Sequence, residues 1–121
     1  MKFQFLLFVL YKKLTKAARK DSRFKDFIKS KQLKFTIKTS GDGKGRQYIF
    51  NNGHITSTSR IVEQDDAAMV WCDPATAFKV MTSKSDEASV AALTEKKLQV
   101  EGNFKEFMWF SRALDVMLGK A

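Results

Sequence analysis

Apolar residues at the start of the chain recur at helical spacing. Phe3, Leu6, Leu7, Leu10 and Leu14 fall three and four apart, which predicts a helix. Lys12, Lys13, Lys16, Arg19 and Lys20 load its C-terminal half, where cations complement the helix dipole. The run from Phe3 to Tyr11 is apolar almost all round. Such a surface must be buried under its own domain, pressed against a twin subunit, or set into a membrane interface. It falls well short of the roughly 20 apolar residues needed to span a bilayer. Lys12-Lys13 follow at once, where a secretory signal needs a small-residue cleavage site. Asp21 or Ser22 then offers an N-cap to a shorter helix with Phe24, Phe27 and Ile28 on one face. Residues 1–32 are thus expected to form a basic, apolar helical segment packed on a domain formed by residues 33–121.

At Leu33 the period changes from helical to alternating. Leu33, Phe35 and Ile37 alternate with Lys34, Thr36 and Lys38, the signature of a strand with one buried face. Gly41 to Gly45 ends it as a glycine-rich hairpin, and Tyr48-Ile49-Phe50 reads as the returning strand. Asn52-Gly53 suits a tight turn, because both residues tolerate positive φ, and His54-Ile55 begins a third strand. Ala67 to Cys72 is a fourth, apolar strand. Asp73-Pro74, an N-cap followed by proline, starts a helix with Ala77, Phe78 and Met81. Ser85 with Asp86 and Glu87 opens another through Val90 and Leu93, and Leu98 and Val100 mark a fifth strand. Asn103 and Glu106 then stand three apart, as in a capping box, before an aromatic-rich last helix. Strands and helices are segregated. This predicts one α+β domain, a five-stranded mostly antiparallel sheet with helices on one face, plus the N-terminal helices.

Composition adds bounds. A chain of 121 residues with one Pro and six Gly is one globular domain, not a linker or a disordered tail. Cys72 is the only cysteine, so no internal disulfide forms, and a reducing, cytoplasmic setting is expected. Residues 1–50 carry 14 Lys/Arg against 3 Asp/Glu, whereas the remainder carries 8 against 10. The basic character therefore belongs to the N-terminal part, where it suits anionic lipid headgroups, nucleic acid or an acidic partner.

No residue pattern carries chemistry. The Gly41–Arg46 stretch meets neither common phosphate-loop spacing and precedes a strand. Asp42 lacks the alternating ligands of a calcium loop. His54 is the only histidine, follows a turn, and has no partner in the sequence to make it a base. Cys72, at the end of an apolar strand, is expected to be a buried, inert thiol. No catalytic residue, cofactor or metal is called for, and the reading is not an enzyme. Basic residues interleaved with aromatics leave a nucleic-acid module as the alternative, with a protein-interaction module beside it. Phe35 and Phe50, however, fall in the alternating sets a small domain needs for its core.

The order of signposts resembles the sterol carrier protein type two family, the sterol-binding or lipid-transfer domains. They are Phe35-x-Ile37, Gly43 with Tyr48–Phe50, the Asn52-Gly53 turn, and Asp66 leading into the strand to Trp71. The helix with Ala77 and Phe78 follows, and then Leu98-x-Val100-x-Gly102-Asn103 before the aromatic helix. The resemblance implies a hydrophobic tunnel between sheet and helices that holds a fatty acyl chain, sterol, phospholipid or isoprenoid without catalysis. Some bacterial members assist ubiquinone biosynthesis. Carried over by position, the tunnel face comprises Phe35, Ile37, Tyr48, Phe50, Met69, Trp71, Phe78, Met81, Leu98, Val100, Phe104, Phe107, Met108 and Leu114. Lys12, Lys13, Lys16, Arg19 and Lys20 would meet an anionic membrane surface, and the N-terminal helix could otherwise pair two copies in a homodimer. Two features depart from the family pattern: Ser83-Lys84 stands where a glycine is frequent, and the N-terminal apolar run does not follow from it. The chain ends Gly-Lys-Ala, so the family's peroxisomal address is not expected.

Overall fold

A computed structural model describes residues 2–40, 44–59, 64–83 and 86–119. Gly41, Asp42 and Gly43 of the glycine-rich hairpin, and Lys84 and Ser85, lie outside the described residues. Two helices come first, α1 (Lys2–Lys20) and α2 (Ser22–Ile28), followed by β1 (Gln32–Thr39), β2 (Gly45–Asn51) and β3 (His54–Thr58). β4 (Ala67–Trp71), α3 (Pro74–Ser83), α4 (Asp86–Thr94), β5 (Leu98–Gly102) and α5 (Phe104–Met117) complete the order.

The alternation seen in the sequence decides which side of the sheet is covered. The strands lie in the order β3-β2-β1-β4-β5, with β1 and β4 parallel and the other pairs antiparallel. The chain is therefore α+β with a five-stranded mixed sheet. Register sets Phe35 opposite Tyr48 and Ala67, Ile37 opposite Arg46 and Met69, and Thr39 opposite Trp71. Trp71 in turn faces Leu98, and Met69 faces Val100. These residues share the inner face, under the helices.

Helix α1 packs on β2 and β3 through Phe3, Leu7, Leu10, Leu14 and Ala17, all buried in one continuous core with the sheet. Each fully buried leucine is worth about 1.5–3 kcal/mol. The Tyr48 hydroxyl donates to the Leu7 carbonyl at 2.6 Å, which uses a second lone pair of a helical carbonyl. Helix α5 crosses the middle of the sheet. Its Phe110 stacks on Phe35 at 4.1 Å and touches Tyr48 and Phe50. On the outer face, Gln47 Nε2 donates to Thr36 Oγ1 and to the carbonyl of Gln64, which helps satisfy two buried polar side chains.

Local signals hold at the helix starts. Asp21 Oδ1 accepts from the amides of Arg23 and Phe24, and Asp73 Oδ1 accepts from Thr76 at 2.7 Å. Asn52 and Gly53 take φ of 50° and 93°, as the hairpin turn requires. Two expectations change. Asn103 Oδ1 caps α5 by accepting from Lys105, but the Glu106 carboxylate accepts from Lys31 Nζ at 2.6 Å and so ties α5 to the turn between α2 and β1. Cys72 is exposed, because β4 ends at Trp71 and the next residue faces away from the core; its thiol donates to Asp73 Oδ2.

Candidate functional site

The inner face of the sheet is not covered evenly. Along one flank, α5 packs on α2, where Trp109 stacks on Phe27 at 5.2 Å and meets the Phe50 edge. Along the opposite flank no helix packs on α5 to a comparable extent, and α3 and α4 rest instead on α1, β4 and β5. A seam therefore runs over β4 and β5 between α5 and the α3–α4 pair. Met69, on the inner face of the second strand from the edge, is only half-buried, as is Val100 opposite it. Met81 of α3, Leu93 of α4 and Leu114 of α5 are half-buried around the same strands.

The cover on the α3–α4 side is thin. The one fully buried side chain in α3 is Ala77, and in α4, among the described residues, it is Ala92. Phe78 and Val80 are half-buried and Val90 is exposed. Two short helices whose larger apolar contacts, Val80, Met81 and Leu93, are only half-buried lose less buried area when they move than α1 or α5 would.

The residues expected to line a tunnel fall into three groups. Phe35, Ile37, Tyr48, Phe50, Trp71, Leu98 and Phe107 are buried on or against the inner face. Met69, Phe78, Met81, Val100 and Leu114 are half-buried along the seam and its α3 cover. Phe104 and Met108 turn outward on α5, 55% and 56% exposed. Two open recesses, of about 560 and 600 Å³, lie elsewhere: one at Gln32–Lys34 and Gln64–Asp66, the other between the C-terminal ends of α1 and α5.

Three features escaped the sequence reading. Arg46 occupies the inner face in phase with Tyr48, a placement its spacing could have revealed. Its guanidinium lies over Phe8 at 5.4 Å and donates to Ser57 Oγ at 2.6 Å. Phe5 and Phe8 stay exposed on the outward stripe of α1, 68% and 41%, ahead of the exposed Lys12, Lys16 and Arg19. Among the described residues, Trp71 Nε1 and Arg46 Nε are buried side-chain donors without a hydrogen-bond partner. Nothing in a single sequence signals that.

Burial pushes the Tyr48 hydroxyl pKa above its ordinary value, with Arg46 working weakly the other way. Hydrogen bonds from the Thr76 amide hold the Asp73 carboxyl below its usual value. His54 is exposed at the start of edge strand β3. No cluster of three or more His, Cys, Asp or Glu that could hold a metal occurs among the described residues. No described helix is long and apolar enough to cross a membrane.

No family model matches this sequence, and no curated protein matches it. Solved structures do. The chain is similar to a protein described as a UbiJ-SCP2 ubiquinone synthesis protein, with TM-score 0.67, 11% identity, and 95% and 94% of the two chains covered. It is also similar to sterol carrier protein 2 from Yarrowia lipolytica in its apo form, with TM-score 0.61 and 13% identity over 93% and 91%. The sterol carrier protein domain 2 of Helicoverpa armigera matches with TM-score 0.60 and 17% identity over 95% and 90%. A coverage of 95% is too large to omit the 19 residues of α1, so that helix belongs to the shared architecture. The chain has the sterol carrier protein 2 fold.

Proposed function

We propose that a protein with this fold and this seam is a non-catalytic lipid carrier. It would hold an acyl, sterol or isoprenoid chain against β4 and β5, between α5 and the α3–α4 pair. The observation that carries the reading is the half-buried Met69–Val100 pair, apolar inner-face positions left without a full helical cover. The names of the structural neighbours, sterol carriers among them, point the same way.

The physics is dispersion and dehydration. Ten buried methylenes supply about 8 kcal/mol at roughly 0.8 kcal/mol each. Against this stand the immobilised chain and the parting of α3 and α4. Met69, Met81, Met108 and Met117 suit an interior that refits around its cargo, because an unbranched thioether changes rotamer cheaply. Trp71 and Leu98, fully buried on β4 and β5, would form the rigid floor, with Phe35, Ile37, Tyr48 and Phe50 as the packed core beside it. Phe104 and Met108 would form the rim on α5.

Lys12, Lys13, Lys16, Arg19 and Lys20 are all exposed on α1 or at its end, which suits contact with an anionic membrane surface. Organic extraction of the purified protein, followed by mass spectrometry, should release a stoichiometric lipid. A cargo-free protein that takes up no lipid from donor vesicles would overturn the reading.

A further inference from the structure

Trp71 is 1% exposed, yet its indole N–H has no hydrogen-bond partner. A buried orphan donor forfeits its hydration for nothing, and such groups in folded proteins call for an explanation. The position of Trp71 supplies one. It ends β4 on the inner face, between Thr39 and Leu98, two residues along the strand from the half-buried Met69. Trp71 therefore stands on the inner face at one end of the β4–β5 strip that carries the half-buried Met69 and Val100.

The charges nearby narrow the chemistry. Arg46 is the charged side chain among the described inner-face residues of the sheet, and it lies on β2, with β1 between it and β4. Its guanidinium leans the other way, onto Ser57 of β3 and Phe8 of α1. Lys97, just before β5, is half-exposed and paired with Glu95 at 2.9 Å, and Lys2 lies over the Phe78 ring of α3. A carboxylate brought to the buried Trp71 indole would therefore be desolvated against one neutral donor. An uncharged oxygen would gain a hydrogen bond without that penalty.

Resting on the lipid-carrier reading above, we infer that Trp71 Nε1 donates to the head oxygen of the cargo. The seam thereby selects an uncharged lipid bearing a carbonyl, ester or hydroxyl oxygen. Both a bare hydrocarbon and a fatty carboxylate are disfavoured. The chain of the lipid then runs from Trp71 along Met69 and Val100 towards Phe104 at the start of α5.

Four probes with one common C18 chain test this: methyl oleate, oleyl alcohol, oleate and 9-octadecene, each delivered from cyclodextrin and followed by titration calorimetry. Methyl oleate and oleyl alcohol should bind at least about five-fold more tightly than the other two, the scale of one recovered hydrogen bond. Trp71→Phe should erase that preference, so that within the variant methyl oleate and oleyl alcohol bind no more than about two-fold more tightly than 9-octadecene. A second readout needs no variant. In ¹⁵N-resolved spectra the Trp71 indole N–H should move downfield with methyl oleate and not with 9-octadecene, with Trp109 as the internal control. Equal binding of methyl oleate and 9-octadecene, or tightest binding of oleate, overturns the head-group assignment while leaving the carrier reading intact. Binding of none of the four overturns both.

Discussion

Gly102 shows how much one residue can fix. It has a φ of 82°, and a Cβ there would lie 2.6 Å from the Asp66 carbonyl oxygen. That same oxygen accepts from the Asn103 amide, while Asp66 Oδ2 accepts from the Lys34 amide. The Leu98-x-Val100-x-Gly102-Asn103 motif is thus a device that closes β5 onto β4 and starts α5 in one step. Gly102→Ala should destabilise the domain by about 1–3 kcal/mol, the scale of a strained left-handed residue. Urea denaturation followed by circular dichroism checks it, and a neutral result would mean the β4–β5 junction simply relaxes. Tyr48 makes a pH-dependent contribution. Its folded pKa is raised by burial, so the unfolded chain loses this proton first, near the ordinary tyrosine value of about 10. The stabilisation is complete below that pH and declines as pH rises beyond it, by up to about 1.4 kcal/mol per unit. Tyr48→Phe should cost about 1 kcal/mol at pH 8 through the lost bond to Leu7. The same variant should lose less stability than the native chain between pH 9 and 11.

At the scale of elements, the sequence made most of the fold legible because each strand and helix obeys one period. Leu33-Phe35-Ile37 and Leu98-Val100 alternate cleanly, and Asp21, Asp73 and Asn103 each cap the helix they announce. The parallel pairing of β1 with β4 was not legible, since nothing in Ala67–Trp71 distinguishes a parallel from an antiparallel neighbour. The seam was not legible either. Helix α5 carries apolar residues on more than one face, and only its packing on α2 reveals which flank is left open. Cys72 was misread for a related reason, because one position past the strand end reverses the side chain's direction. The unequal anchoring of the helices has a measurable consequence. Helix α1 is held by Leu7 and Leu14, fully buried, whereas among the described residues of α3 and α4 only Ala77 and Ala92 are buried and the larger apolar side chains are half-buried or exposed. Amide hydrogen exchange should accordingly be fastest in α3 and α4 and slowest in β1, β4 and the Phe107–Ala113 stretch of α5. Bound lipid should slow α3 and α4 selectively. Uniform protection across all five helices would contradict a loosely held α3–α4 cover.

For the whole molecule, the two surfaces of interest adjoin. The outward stripe of α1 begins with Phe5 and Phe8 and continues into Lys12, Lys16 and Arg19, apolar first and basic after. The same helix starts beside α3, with Lys2 Nζ 5.9 Å from the Phe78 ring. A bilayer meeting the aromatic end of α1 would therefore lie next to the thin side of the seam. Cargo could then pass between membrane and protein without crossing water. Each Lys or Arg held near an anionic surface contributes about 1 kcal/mol, and that attraction fades with salt. The inserted rings contribute through dehydration, which salt does not weaken. The two terms can be separated. Flotation with phosphatidylserine-rich vesicles should fall steeply with salt for the native chain, and the slope should reverse, with binding lowest at low salt, when Lys12, Lys16 and Arg19 are replaced by Glu. Phe5→Ser with Phe8→Ser should instead leave the salt slope unchanged and lower binding at every ionic strength. If the aromatic pair serves a twin subunit instead, that double variant will turn a dimer into a monomer in sedimentation and leave flotation untouched. If docking through α1 governs delivery while the seam governs holding, lipid transfer between vesicles should track flotation and not cargo affinity.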